Sequence, residues 1–209
     1  TPLTVILSNA QILGEAEGDP ALRSRLRENI LSMSARMRSL VESLLDLARV
    51  DSGLAGQTLS RVDLSRVVSE AILPFEPLFY ERGLVLSSSV EPGIAVKGSA
   101  ERLSQAVGVL LDNAQKYASP GGSVSVTLSR QGRGHCLIAV ENSGEPLSPA
   151  ERRDIFKRFY RADAARSSGG SYGLGLSIAR GIVEAHRGRI WAEALPGGNR
   201  FCIRLRVQK

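Results

Sequence analysis

The first fifty residues carry their apolar side chains at helical spacing. One helix face is predicted from Leu3, Ile6, Leu7, Ala10 and Leu13. The polar segment GEAEGDP, residues 14–20, ends that helix, and a second helix is predicted over residues 21–51. Its apolar residues recur at alternating steps of four and three: Leu26, Ile30, Met33, Met37, Leu40, Leu44 and Leu47.

This seven-residue period is typical of coiled-coil packing. Two helices cannot bury such a seam alone, so we expect residues 1–55 to form a homodimer in which two hairpins complete a four-helix bundle. The alternative is a hairpin that packs against the rest of the same chain without a dimer.

From residue 56 to residue 209 the pattern changes to a mixture of helices and alternating strands. Asp63 is a predicted N-cap for a helix to about residue 82 that is broken near Pro74 and Pro77. Further helices are predicted over 99–118, after the capping box at 148–151, and after Gly175. Strands are predicted at 84–86, 94–96, 124–128, 136–140 and 201–207. The pattern predicts an α+β sandwich, with helices on one face of a mostly antiparallel sheet.

Composition narrows the class of protein. With 43% hydrophobic and 23% charged residues among 209, the chain is neither disordered nor collagen-like. No apolar run approaches the roughly 18 residues of a membrane span. Two cysteines, Cys136 and Cys202, lie in alternating apolar runs and are expected to be reduced core residues.

Charge is unevenly distributed along the chain. Residues 1–52 carry six arginines and seven acidic residues, whereas the rest carries 21 basic and 14 acidic ones. We expect no nucleic-acid binding, because no basic helix or patch with interleaved aromatic residues stands out.

Four segments have the residue types of a nucleotide site. Asn113, Lys116 and Tyr117 share one face of the helix over 99–118, where an amide oxygen could bind Mg²⁺ and an ammonium group could meet phosphate. Asn142 could hydrogen-bond an adenine edge, and Gly144 would admit the base close to the backbone. Each of these could equally belong to an ordinary exposed helix or a connecting turn.

Glycines supply the other two segments. Gly173 and Gly175 precede a helix, where free backbone N–H groups suit phosphate. The Ala/Ser/Gly-rich segment before them, residues 161–170, is interpreted as a flap. Gly197 and Gly198 are more simply read as a hairpin turn.

The order of these segments resembles the cytoplasmic core of bacterial sensor histidine kinases. LLDNAQKY resembles the N box of that family and VENSGEPL its first glycine box; DIFKRFYR, SYGLGLSIARGIVEAHRGRI and PGGNRF resemble the F box, the second glycine box and the final glycine motif. TPLTVI and the hairpin resemble the dimerisation and phosphotransfer domain just after its H box. The resemblance extends over essentially the whole chain.

The resemblance implies an ATP-dependent autokinase with a Bergerat-type ATP-binding fold. Such a kinase transfers the γ-phosphoryl group of Mg-ATP to a histidine of the dimeric hairpin, and then to an aspartate in the receiver domain of a response regulator. It further implies a location on the cytoplasmic side of the bacterial inner membrane, with attachment only through a region upstream of this chain.

The resemblance also assigns roles to individual residues. Asn113 would bind Mg²⁺, Lys116 and Arg158 would lie near the phosphates, and Asn142 stands where the family usually has an adenine-binding aspartate. Phe156 and Phe159 would anchor the flap, unless they are simply core residues. The ATP contacts implied in this way are Asn113, Lys116, Tyr117, Asn142, Gly144, Leu147, Phe159, Tyr160, Gly173, Leu174, Gly175 and Leu176.

Two departures from the family pattern have consequences. Val109 occupies a position where related ATPases have a water-activating glutamate, so we expect slow intrinsic ATP hydrolysis. The family reads His-Glu-Leu-Arg before Thr-Pro-Leu, whereas this chain starts at Thr1, so the phosphoacceptor histidine is absent. The chain as given is therefore expected to bind ATP without autophosphorylation.

The remaining candidates carry weaker functional interpretations. Thr1 could help to dephosphorylate the regulator, although a structural role in the first helical turn is as compatible with its position. His135 is expected to be structural, and His186 is expected at a helix end where an imidazolium would complement the dipole. Two other classes of protein stay open: an ATPase of the chaperone, gyrase or mismatch-repair type, and a non-catalytic degenerate kinase that dimerises or docks a regulator.

Overall fold

A helical hairpin precedes the mixed α/β region in the structure, a computed structural model that describes residues 2–16, 19–51, 59–132, 134–161 and 172–208. The hairpin consists of α1 (Pro2–Glu15) and α2 (Pro20–Asp51). Asp19 accepts a hydrogen bond from the backbone N–H of Leu22 at 3.0 Å and so caps α2. Both helices agree with the sequence prediction.

The predicted seven-residue seam of α2 is divided between two partners. Leu26 is buried and Ile30 is half-buried along the half of α2 that follows the turn. Further along, Leu40 and Leu47 pack against the core of the α/β region instead, and Leu44 between them is 43% exposed. The second half of α2 therefore also packs against the rest of the same chain, which was the alternative prediction for this hairpin. Leu3 and Leu7 of the predicted α1 face are exposed in this single chain.

Two sheets form the strand layer. The larger has the order β2-β4-β5-β7-β6, with β2 and β4 parallel and the other neighbours antiparallel. Its strands are β2 (Val85–Val90), β4 (Ser123–Gln131), β5 (His135–Ser143), β6 (Arg189–Leu195) and β7 (Gly198–Arg206). A second, two-stranded antiparallel sheet pairs β1 (Ser60–Asp63) with β3 (Ala95–Gly98).

The helices of the α/β region lie beside the large sheet, and all of them except the short α6 bury apolar side chains in one core with it. They are α3 (Leu64–Ile72), α4 (Glu76–Glu81), α5 (Ala100–Tyr117), α6 (Pro149–Asp154) and α7 (Gly175–Ala185). The predicted α+β class is confirmed. No helix in the described ranges combines the length and the hydrophobicity that crossing a membrane requires.

Local signals placed several helix ends correctly. The Asp63 carboxylate accepts the N–H of Arg66 at 3.1 Å, and the 3₁₀ turn Leu73–Phe75 interrupts the helix at Pro74 as predicted. Ser148 and Glu151 form the predicted capping box of α6. Cys136 and Cys202 are free and buried, and burial raises the pKa of their thiols to about 11 and about 12.

Candidate nucleotide-binding site

Helix α5 forms the centre of the candidate site. Its apolar face, which includes Leu103, Val107 and Leu110, is buried at 0–1% exposure. Asn113 lies at the border of that face and is half-buried, whereas Tyr117 is 54% exposed. The 3.6-residue period thus presents Asn113 and the residues one turn after it beside the core rather than inside it.

Lys116 is not free in the structure. Its ammonium group lies 2.5 Å from the Asp112 carboxylate, one turn earlier on α5, and both side chains are nearly half exposed. Because solvent screens such a pair, the Lys116 ammonium group can easily exchange the Asp112 carboxylate for another anion.

The glycine turn before α7 contacts α5 one turn away from Asn113. A Cβ atom added to Gly175 would lie 3.3 Å from Cγ1 of Val109, so a larger residue would press on that side chain. Gly173 has φ +68°, and a Cβ there would come within 2.5 Å of the Tyr160 carbonyl oxygen. The turn therefore requires glycine at 173 for its backbone conformation and for the close approach. Leu174 is buried between the two glycines, and Leu176 is half-buried.

The predicted F-box residues separate into a core residue and an exposed one. Phe156 is buried, but Phe159 is 62% exposed with φ +60°, and its backbone N–H donates to the Gly173 carbonyl at 3.0 Å. The core interpretation is thus correct for Phe156 and wrong for Phe159. Tyr160 is half-buried beside Gly173, and Arg158 is exposed.

The carboxyl end of β5 supplies a buried amide. Asn142 is 4% exposed, and its Nδ2 donates to the Ser143 carbonyl oxygen at 2.9 Å. Its Oδ1 is buried without a hydrogen-bond partner. One Nδ2 hydrogen is used by the Ser143 carbonyl, whereas Oδ1 has no donor and is therefore the open acceptor that the side chain offers to a ligand.

Gly144 follows at the point where the chain leaves β5. A Cβ there would lie 2.8 Å from the Tyr117 carbonyl oxygen, so the missing side chain lets this loop contact the end of α5. The loop, α5 and the glycine turn are thus brought together in one part of the molecule.

Sequence reasoning missed Asn199, which lies in the quoted PGGNRF motif but received no role. This buried residue donates from Nδ2 to the Glu145 carbonyl at 2.9 Å and accepts the Leu147 N–H at 2.8 Å. It therefore fixes the loop that carries Gly144 and the half-buried Leu147. The polar residue at a strand start after two glycines was the only sequence signal.

His186 connects the beginning of α5 to the end of α7. Its Nε2 accepts the backbone N–H of Ser99 at 3.0 Å, and its Nδ1–H donates to the Ile182 carbonyl at 2.7 Å. Burial lowers the pKa of His186. The expected imidazolium at the helix end was therefore wrong, because a proton on Nε2 would face another N–H donor. His135, at the exposed start of β5, lies far from this contact along the chain.

Some predicted features lie outside the described residues, namely Thr1 and residues 162–170 of the predicted flap. Among the residues that are described, no group of three His, Cys, Asp or Glu side chains could hold a metal ion. A divalent cation at Asn113 would thus need ligands from a bound molecule.

Two family models match this chain. Residues 98–209 match the model described as "Histidine kinase-, DNA gyrase B-, and HSP90-like ATPase", and residues 1–53 match the "His Kinase A (phospho-acceptor) domain". The chain belongs to the sensor histidine kinases. The first match contains the site described above and the second contains the helical hairpin, so the resemblance seen in the sequence is confirmed.

Curated relatives support the same family. The chain is 38% identical over 206 residues to "Signal transduction histidine-protein kinase/phosphatase MprB" of Mycolicibacterium smegmatis, covering 95% of this chain and 41% of the relative. It is 35% identical over 208 residues to "Probable sensor histidine kinase TcrY" of Mycobacterium tuberculosis, covering 98% and 43%. The chain thus spans about two fifths of the length of these relatives.

Solved structures agree with the fold. The structure titled "Mycobacterial sensor histidine kinase MprB" matches with a TM-score of 0.62 and 29% identity over 72% of this chain and 98% of that one. A crystal structure of histidine kinase ThkA in complex with response regulator protein TrrA matches all of this chain and 58% of that one, with a TM-score of 0.77. At 20% identity this second likeness bears on the fold alone.

Proposed function

We propose that this sensor-kinase core binds Mg-ATP and transfers its γ-phosphoryl group to a histidine that the chain does not contain. The phosphoryl group then passes to an aspartate in the receiver domain of a response regulator. In this proposal residues 1–55 form the dimerisation and phosphotransfer hairpin, and residues 56–209 form the ATP-binding domain.

The observation that carries the proposal is the unpartnered Oδ1 of Asn142. A buried acceptor without a donor costs free energy, on the order of 1–3 kcal/mol, that a ligand can recover. The exocyclic amine of adenine is such a donor, whereas guanine presents a carbonyl oxygen in the same place. The asparagine that replaces the family's usual aspartate therefore still favours ATP over GTP.

The residues around α5 fit a magnesium-loaded triphosphate. The Asn113 carboxamide oxygen would bind Mg²⁺, whose other ligands would come from phosphate and water, as is usual for this ion. Lys116 would exchange Asp112 for phosphate, with Arg158 nearby and the backbone N–H groups of 173–176 around the phosphate chain. When bound, Mg²⁺ neutralises charge that develops on the transferred phosphoryl group.

Val109 lies at the position from which a base would activate water for ATP hydrolysis in related ATPases. Its side chain packs between the core and Gly175 and has no group that could take a proton from water. We therefore expect the bound ATP to be stable until a protein nucleophile reaches it.

The hairpin supports the proposed partners. Leu31, Val41, Leu44 and Leu45 of α2 are exposed apolar residues that a second copy would cover in a homodimer. The match to the phospho-acceptor domain supports the same role, and Thr1 is proposed to assist dephosphorylation of the regulator. We propose no nucleic-acid partner, and a place at the cytoplasmic side of the inner membrane through residues upstream of this chain.

The test compares this chain with the same chain preceded by His-Glu-Leu-Arg. With ATP labelled in its γ-phosphate, only the extended chain should acquire label that is stable to base and labile to acid, and a cognate receiver domain should remove it. Stable label on the unextended chain would contradict the proposal. So would steady ATP hydrolysis of about one turnover per second without any phosphoprotein.

A further inference from the structure

A polar network joins α2 to the amino-terminal half of α5. The Asp46 carboxylate on α2 accepts hydrogen bonds from Gln105 Nε2 at 2.6 Å and from Arg102 Nη1 at 3.4 Å. Arg102 also donates to Gln105 Oε1 at 2.9 Å, so the three side chains close a ring of contacts. Arg49 approaches the same carboxylate at 3.6 Å from its exposed side.

This network is largely withdrawn from solvent. The Arg102 side chain is 11% exposed and that of Asp46 is 24% exposed. A guanidinium group at that depth requires its carboxylate, because removing one partner leaves an uncompensated buried charge.

A second contact joins α2 to the glycine turn of the nucleotide site. The Tyr172 hydroxyl donates to the Arg36 carbonyl oxygen at 3.3 Å, and Tyr172 directly precedes Gly173. Arg36 and Asp46 are ten residues apart, or about 15 Å along α2. Between these two polar contacts Leu40 packs against the core, and directly after Asp46 the side chain of Leu47 is buried in it.

The apolar and the polar contacts between α2 and the α/β region respond differently to a displacement of α2 along its axis. Leucine contacts are non-directional and tolerate small displacements of α2. The Asp46 network is directional: a one-turn shift of about 5.4 Å would either leave Arg102 without a carboxylate or bring the longer Glu42 side chain to its level, which does not reproduce the short contacts of Asp46 with Arg102 and Gln105. The network therefore fixes the register of the α/β region along α2.

The fixed register has a consequence at the other end of the contact. Because α1 runs antiparallel to α2 and the turn joins Glu15 to Pro20, Pro2 lies beside about residue 33 of α2. A residue four positions before Thr1, in continued helix, would lie within about 5 Å along the axis from the level of Arg36. The glycine turn next to Tyr172 is held at that same level.

We propose that Asp46, Arg102 and Gln105 are positioning residues that set the nucleotide site at the axial level of the phosphoacceptor. This inference rests on the proposed function. It assigns the three residues no contact with ATP, because Arg102 and Gln105 lie in the amino-terminal half of α5, away from Asn113, and Asp46 contacts them from α2.

The test uses charge reversal in the chain preceded by His-Glu-Leu-Arg. Asp46→Lys should lower the rate of phosphoryl transfer at saturating ATP by about tenfold or more, with the Kd of ATP changed by less than about twofold. The matched control is Glu42→Lys, which makes the same change one turn earlier on an exposed position, and it should leave both quantities unaltered. The double variant Asp46→Lys/Arg102→Glu should recover most of the rate, which a merely misfolded protein would not do.

A distance measurement decides the register claim without any phosphoryl transfer. Spin labels at Ser34→Cys on α2 and Gln131→Cys on β4 are both exposed, and the buried native thiols will not compete. The parent chain should give one narrow distance distribution, Asp46→Lys a broad one, and the double variant a narrow one again. A narrow, unshifted distribution and a normal transfer rate in Asp46→Lys would overturn the inference. Absence of transfer in every extended chain would instead contradict the proposed function.

Discussion

At its amino end α5 is held by polar contacts to α2 and α7, whereas at its carboxyl end the polar side chains meet solvent or no partner. Ser99 caps the helix and donates its own N–H to His186, and Arg102 is paired with Asp46. At the other end Lys116 is paired only with the exposed Asp112, and near it the buried Oδ1 of Asn142 lacks a donor.

Polar residues around the two ends of α5 therefore have two different uses. Groups whose hydrogen bonds are satisfied within the protein stabilise the fold, and their loss is measured as unfolding free energy. A buried group without a hydrogen-bond partner in the protein is available to bind a ligand, and its removal lowers the affinity for that ligand. Substitutions at the two ends should therefore affect different measurements.

The largest expected effect is at the carboxyl end. Asn113→Ala removes the one proposed protein ligand of Mg²⁺ and should weaken Mg²⁺-dependent ATP binding by about 100-fold, or about 2.8 kcal/mol. Because Asn113 is only half-buried, the free energy of unfolding of the ligand-free protein should change by less than about 0.5 kcal/mol. A variant that unfolds easily but binds ATP normally would reverse the assignment.

The converse substitution lies at the amino end. His186→Ala leaves the Ser99 N–H and the Ile182 carbonyl without their partner and opens a cavity, so the free energy of unfolding should fall by about 2–3 kcal/mol. The Kd of ATP for the folded protein should stay the same. His135→Ala at an exposed position is the matched control, and chemical denaturation distinguishes the two variants.

His186 also predicts a pH dependence. Its pKa is lowered in the folded protein, so below about pH 6.5 the unfolded chain binds a proton that the folded chain does not. Stability from this group is therefore complete above pH 6.5 and decreases as the pH falls toward the lowered value. In His186→Gln this part of the slope should disappear, and a slope identical to that of the parent protein would show that another group is responsible.

The smallest effect concerns the ion pair on α5. Asp112→Asn frees Lys116 from its carboxylate and should strengthen ATP binding by about threefold, because an exposed pair contributes less than about 1 kcal/mol. The gain should shrink at high salt, and an affinity that falls instead would mean that Asp112 itself helps to hold the nucleotide complex.

Features that depend on residues close together in the sequence could be predicted. The period and caps of α2, α3, α5 and α6 are set by residues within a few positions of each other; α2, α3 and α5 have the predicted ends, and α6 has the predicted start. The strands β1 and β6 were missed: β1 has only four residues, and the core-facing alanines of β6 alternate with Trp191, which blurs the hydrophobic contrast.

Contacts between distant positions could not be predicted. The neutral state of His186 depends on a backbone N–H 87 residues away, and the Asp46 network joins residues 56 and 59 positions apart. The regular four-and-three spacing of Leu40, Leu44 and Leu47 gave no sign that the second half of α2 packs on the α/β region, because a helical period does not identify the surface that covers it. The roles of the proposed ATP-binding residues stay predictions, which measurements of nucleotide binding test.

Calorimetric titration of this chain with ATP, with and without Mg²⁺, tests the central claim most directly when it is repeated with GTP and with Asn142→Leu. We predict saturable binding of one ATP per chain that requires Mg²⁺, weaker binding of GTP, and a loss of that preference in Asn142→Leu. Equal Kd values for ATP and GTP, unchanged by removal of the metal or of the Asn142 amide, would contradict the assignment of this site.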